Sequence, residues 1–347
     1  MQLPRFWLIL TILFFLTSHT FAHTVAKADS SLLSARKIFP VSGFLAASCN
    51  ALLMEAREYV CDGDMLVSDL RWPLVPSASY TVYGGIYLPK GIHIEGNVSF
   101  LQPMATGTMI DKDFEGLSSI VSQQPELTKR SEHACSIISG VQWMVKAGVQ
   151  LAMPQSTGMR QVGISVFVEP MISFYYSVIK WHSYNGYLQY AKMNRYGQYE
   201  PWTETLPRIA ITQAAVSYQQ HIMLPAIGLG WEVLFPHNIT LNTDMHLNPN
   251  ISAITEDIHH ARNLRFVDIL QGGWAFHGTT RLAWQFHRFF AAFCSLFYQY
   301  AKTTDGISII YNGITSKKPA GYSAPHTAGT ALYGCTFSAG LVFTLGR

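Results

Sequence analysis

The residues best suited to chemistry in this 347-residue chain come as two spaced pairs. In "MIDKDF" (109–114), Asp111 and Asp113 stand two apart. In "ITEDIHHARN" (254–263), Asp257 and His259 do the same. On an extended strand, residues i and i+2 project from one face, so each pair shares a wall. A carboxylate beside an imidazole orients the ring and stabilises its charged form, which suits the histidine to act as general base on water. Two adjacent carboxylates repel, so one apparent pKa rises and the pair can hold a proton or a water. Gripped between two such walls, a water can hydrolyse an amide without a covalent nucleophile. Each pair alone has plainer readings. A D-x-D is also a solvated turn or half of a metal site, a D-x-H is equally weak, and His260 reads as a loop residue.

The elements that must position these pairs are strands. Charged residues make up only 13% of the chain, about half the share usual in soluble domains, while aromatics reach 13%. The chain opens with Arg5, an apolar core from Phe6 to Leu16 and small residues at Thr20–Ala22, the pattern of a cleaved secretory signal over residues 1–22. Beyond it, no apolar run reaches the roughly 18 residues of a transmembrane helix. An exported chain that is poor in charge, rich in aromatics and without hydrophobic helices predicts an all-β fold, a transmembrane antiparallel β-barrel over residues 23–347. A net charge of +3 excludes a nucleic-acid partner as the main expectation.

Alternation supports the barrel. Ile92, Ile94, Val98 and Phe100 alternate with His93, Glu95, Asn97 and Ser99, and Met245 and Leu247 with Asp244 and His246. Lipid-facing apolar residues and a polar lumen are expected from this period of two. Polar, turn-rich stretches at 123–133, 194–207, 249–263 and 316–329 predict outer loops, and "LPKG" (88–91) and "FPHN" (235–238) predict tight periplasmic turns. About ten strands sharing the chain leaves roughly thirty residues each, well beyond the 9–11 that cross a membrane, so the strands should project past the bilayer and carry a site at their outer ends. Residues 23–37 read as a short lead-in. Five cysteines, odd in number and without a C-x-x-C, and thirteen scattered histidines predict no metal centre; unpaired cysteines on the wall are expected.

Four segments carry a family resemblance. "LVSDLRWPL" (66–74), followed by a strand, a turn and "MIDKDF", resembles the omptin outer-membrane endopeptidases, in which an S-x-L-x-W strand precedes a turn with an aspartate pair. "TKRSEH" (128–133) is similar to the family's T-x-x-S-x-H loop, 239–259 to the strand leading to its D-x-H dyad, and 328–345 to its closing strand. The resemblance implies a ten-stranded barrel in the outer membrane of a Gram-negative-type bacterium, its groove facing outside. There His259 would activate the water, Asp257 would orient His259, and Asp111 would position the water with Asp113. Ser131 and His133 match loop positions near the site, Ser131 either supporting or simply polar. Substrates would be peptides or proteins, with no metal or organic cofactor, and lipopolysaccharide would be the lipid partner that activity requires.

The pattern also departs from the family. Omptins cut beside basic residues through acidic pocket positions. Glu58 matches the first of these if a short gap is allowed, and Glu55 if it is not. The second is Thr255, with Glu256 adjacent, and an acidic position across the cleavage site is Lys129. A basic lipid-binding position is His221, which implies weaker or pH-dependent binding of lipid A. These departures put strict dibasic cleavage in doubt. They also motivate an alternative expectation, a proteolytically inactive barrel serving as adhesin or invasin.

Overall fold

Period-two alternation builds one closed wall. The computed structural model describes residues 41–62, 65–115, 126–197 and 199–345; the expected signal (1–22) and lead-in (23–37) lie outside the described residues. Its strands are β1 (Ser42–Asp62), β2 (Met65–Tyr87), β3 (Ile92–Leu101), β4 (Met104–Glu115), β5 (Glu126–Val149), β6 (Leu151–Ala152), β7 (Ser165–Tyr190) and β8 (Ile209–Phe235). They continue as β9 (Ile239–Asn248), β10 (Ile251–His259), β11 (Leu264–Gly272), β12 (Trp274–His287), β13 (Phe290–Thr303), β14 (Gly306–Asn312), β15 (Gly321–Tyr322) and β16 (Ala328–Leu345). All belong to one antiparallel sheet, and β16 pairs with β1 from Gly43↔Leu345 to Val60↔Ala328, which closes the ring and removes the free edges.

Among the described residues, sixteen strands reduce to ten staves. β3 and β4 both lie between β2 and β5, so they form one stave broken at residues 102–103. β9/β10, β11/β12 and β13/β14 are likewise broken staves, and β6 and β15 are short additions. Both tight turns form as expected, with Lys90 (φ 66°) and His237 (φ 63°) in left-handed conformation, the first of them at the end where β1 begins and β16 ends.

Apolar residues face outward as expected, with Val82, Ile94, Phe100, Val145, Ile172, Ile227, Leu247 and Leu341 exposed on the wall. The lumen differs from the expectation of a polar interior. Its middle is an apolar plug in which Trp72 stacks on Tyr218 (5.3 Å between centroids, 10°) and Trp181 lies 5.7 Å from the same ring. Leu52, Met54, Met109, Ile137 and Ile179 pack around these rings. Strands this long run past the bilayer, so part of their inner face must pack as a protein core rather than line water. The turn-side half is polar, with a cavity of about 550 Å³ where Lys146 binds Asp244 (2.9 Å) and Glu95 (3.2 Å).

Two loop expectations are corrected. Residues 128–133 lie on β5 and 251–259 on β10, so Ser131, His133 and the Asp257/His259 pair are strand residues rather than loop residues. Polar composition suggested loops, but Lys129, Ser131, His133 and Thr255 find partners on neighbouring strands. All five cysteines are free.

Candidate active site

Above the aromatic plug, at the strand ends away from the tight turns, inward-facing polar residues converge from six strands. β4 brings Asp111 and Asp113; β5 brings Lys129, Ser131 and His133; β10 brings Thr255, Asp257 and His259. β1 adds Glu58, β2 adds Ser68 and β11 adds Asp268. Local irregularities aim them. A bulge between Ala105 and Gly107 lets β4 resume pairing with Asp111 beside Ser131. In a second bulge, on β7 opposite His133, Gly186 has φ +116°, and a Cβ there would stand 2.0 Å from the Glu132 carbonyl oxygen, so only glycine fits. The neighbouring Asn185 carbonyl accepts a 2.7 Å hydrogen bond from His133 Nδ1.

Both spaced pairs form as pairs. His259 Nε2 lies 2.5 Å from Asp257 Oδ2, and Asp257 is 2% exposed. Asp111 and Asp113 are joined through Lys129, whose Nζ is 2.7 Å from Asp111 Oδ2 and 2.8 Å from Asp113 Oδ2. Ser68 Oγ donates to Asp113 Oδ1 (2.9 Å) and Ser131 Oγ to Asp111 Oδ2 (3.3 Å). Among the described residues that face the groove, three deeply buried carboxylate oxygens have no protein partner: Glu58 Oε2, Asp111 Oδ1 and Asp257 Oδ1.

Electrostatics couples the walls. Burial alone would lower the His259 pKa, but Asp257 and then Asp111 outweigh it and hold the imidazole above its ordinary value. Burial pushes the Asp111 carboxyl up against the opposing pull of Lys129; for Asp113, Lys129 outweighs burial and holds the carboxyl below the usual range. Glu58 is raised well above the carboxylate range by burial, and then by Asp257, Asp268 and Asp111. Asp268 is pushed up to about 6 by burial, with Asp257 adding to it. Asp111 therefore acts on His259 across the groove, and Glu58 feels Asp111, Asp257 and Asp268 at once.

Residues 42–345 match the Omptin family. The chain belongs to the Omptin family. Among solved structures, this omptin is similar to the outer membrane protease OmpT from Escherichia coli, at TM-score 0.71 and 15% identity over 88% of this chain and 97% of that one. The attachment invasion locus protein Ail of Yersinia pestis also matches, at TM-score 0.28 and 6% identity over 88% and 98% of the two chains, too low a likeness to carry an argument. No curated protein sequence matches the chain. Family and fold together make this omptin a β-barrel of the outer-membrane class.

The geometry decides several open assignments in this omptin. Glu58 faces the groove, whereas Glu55 faces outward and binds Arg57 at 2.7 Å. Thr255 is fully buried in the groove, and its hydroxyl donates to Asp268 Oδ2 at 2.9 Å. Glu256 points away and meets Arg265 at 3.3 Å. Asp268 was invisible to the sequence reading. It stands opposite Thr255 only through the β10–β11 register, and no local spacing connects them. His221 is on the outer face of β8, with Nδ1 2.8 Å from the Tyr176 hydroxyl and Nε2 accepting from Gln219 Nε2 at 2.6 Å.

Proposed function

We propose that this omptin is an endopeptidase that hydrolyses peptide bonds with a water held between Asp111 and His259. One observation carries the reading: the unpartnered, buried oxygens of Asp111 and Asp257 stand with a partly exposed His259 above a buried aromatic floor. Low dielectric strengthens each charge in such a site. His259 takes the proton of the water, Asp257 holds the ring and its developing charge, and Asp111 Oδ1 accepts the second hydrogen of the water. Ser131 and Ser68 fix the aspartates by hydrogen bonding, and Asp113 supports Asp111 through their shared ammonium.

A preference for a basic substrate side chain belongs to the same reading. Glu58 and Asp268 are buried carboxyls that raise each other's cost of ionisation, and a cation between them would relieve it. Asp268 thereby supplies the negative charge that position 255 lacks, with Thr255 orienting it. The groove faces the cell exterior in this reading, after export through the signal over 1–22. Lipopolysaccharide binds the outer wall near His221, where a tethered imidazole contributes less than a fixed cation.

The test is a diverse peptide library offered to full-length protein refolded with lipopolysaccharide. Wild type should cleave, with basic residues enriched beside the bond. His259→Ala and Asp111→Asn should lose cleavage by about a hundredfold or more while heat-modifiable barrel folding persists. Full activity in either variant, or no cleavage by wild type under any condition, would sink the reading.

A further inference from the structure

The one ammonium bound to the site carboxylates among the described residues is Lys129, where the family resemblance led to an acid. Its side chain is 10% exposed, and two of its three N–H donors are spent on Asp111 and Asp113. Register places it there: Lys129 lies directly across from Asp113 and Ser131 across from Asp111 on the β4–β5 ladder. Ser68 takes the other oxygen of Asp113, and Ser131 shares Oδ2 of Asp111 with the ammonium. Asp111 Oδ1 is then the oxygen of this pair that is buried and unpartnered.

We propose that Lys129 is a positioning residue for the hydrolysis. Its ammonium clamps Asp111 and Asp113 in their ionised forms and leaves Asp111 Oδ1 as the oxygen that holds the attacking water. The proposal rests on the peptidase reading above. Without this ammonium the groove would gather Glu58, Asp111, Asp113, Asp257 and Asp268 around His259, and a proton would be shared between Asp111 and Asp113.

The other charges facing the pair do not replace Lys129. On β2, Asp69 is taken up by Arg71 at 3.2 Å and by Arg57 of β1 at 3.6 Å. On β5, Arg130 is held by Glu132, and burial lowers the pKa of His133, whose Nδ1 donates to the Asn185 carbonyl. On β4 itself Lys112 points to the opposite face from the aspartates, towards Arg71 and Arg130. From β10, Asp257 and His259 form their own pair, and Arg262 beyond the strand acts on His259.

The experiment compares wild type, Lys129→Met and Lys129→Arg as refolded full-length barrels, using a peptide that wild type cleaves. The kcat and KM are followed against pH, and infrared difference spectra count protonated carboxyls without substrate. Lys129→Met should lower kcat at pH 6 by about a hundredfold with KM changed only a few-fold. Its acid limb should move up by about one pH unit or more, and it should carry one more protonated carboxyl at pH 6 than wild type. Lys129→Arg should restore the limb and most of kcat. A wild-type limb and an unchanged carboxyl count in Lys129→Met overturn the proposal, as does a raised kcat, which would make the ammonium an obstruction. If wild type proves inactive, the peptidase reading fails, and the infrared count alone decides the clamp. Lys129→Gln takes the place of the methionine variant if that one does not fold.

Discussion

His259 is where residue chemistry meets pH. Asp257 and Asp111 hold its imidazole above the ordinary value, so the protonated form persists to higher pH than in a free histidine. A general base works only when neutral, and activity should therefore climb as pH rises through that raised pKa. Asp257→Asn removes the stronger of the two raising partners. Its acid limb is expected at lower pH than in wild type, with a plateau kcat lower by about a hundredfold or more. A pH–rate profile of the two proteins checks this, and a limb that stays in place would remove His259 from the role of base. At this scale the sequence was informative because i, i+2 spacing on a strand is a local property. Asp111 with Asp113, and Asp257 with His259, needed nothing beyond an extended backbone to share a face. Lys129 was legible only as a departure, because its partners lie on another strand.

At the scale of elements, register decides which residues meet. The β10–β11 ladder sets Thr255 against Asp268, and the β1–β16 and β1–β2 ladders bring Glu58 to the same groove. Asp268 has a folded pKa near 6 against an ordinary value of 3.8, so the folded state holds its proton more tightly than the unfolded chain. The matching stability is fully present below about pH 4 and is lost as pH rises through 6. Asp268→Asn should thus raise stability at pH 7, on the order of 2 kcal/mol, and leave it unchanged at pH 4. The same change should raise KM for substrates with a basic side chain by about tenfold. Melting followed by heat-modifiable gel mobility, together with KM for paired basic and neutral peptides, reads both effects. Stabilisation without any change in KM would leave Asp268 a buried acid outside the pocket.

The whole molecule supplies a buried aromatic floor. Trp72, Tyr218 and Trp181 close the lumen beneath the groove, and all three side chains are fully buried. Trp181→Ala should cost about 3–5 kcal/mol by opening a large cavity, and the melting temperature should fall accordingly. Water admitted from the polar turn-side chamber would also raise the local dielectric and weaken the charge coupling between Asp111 and His259. A drop in kcat at temperatures where the variant remains folded checks that second consequence.

Composition and period-two patterning were enough to determine a β-barrel of the outer-membrane class, because lipid outside and a closed hydrogen-bonded wall leave few other solutions. The positions of the two turns at 88–91 and 235–238, and the pairing of Asp111 with Asp113 and of Asp257 with His259, were likewise local. Only the tertiary structure decided that the lumen holds an apolar plug, that Glu58 rather than Glu55 faces the groove, that Asp268 stands behind Thr255, and that Lys129 bridges the aspartates. Those outcomes depend on which strands lie side by side and in which register, and cross-strand contacts leave no mark in the spacing of either strand read alone.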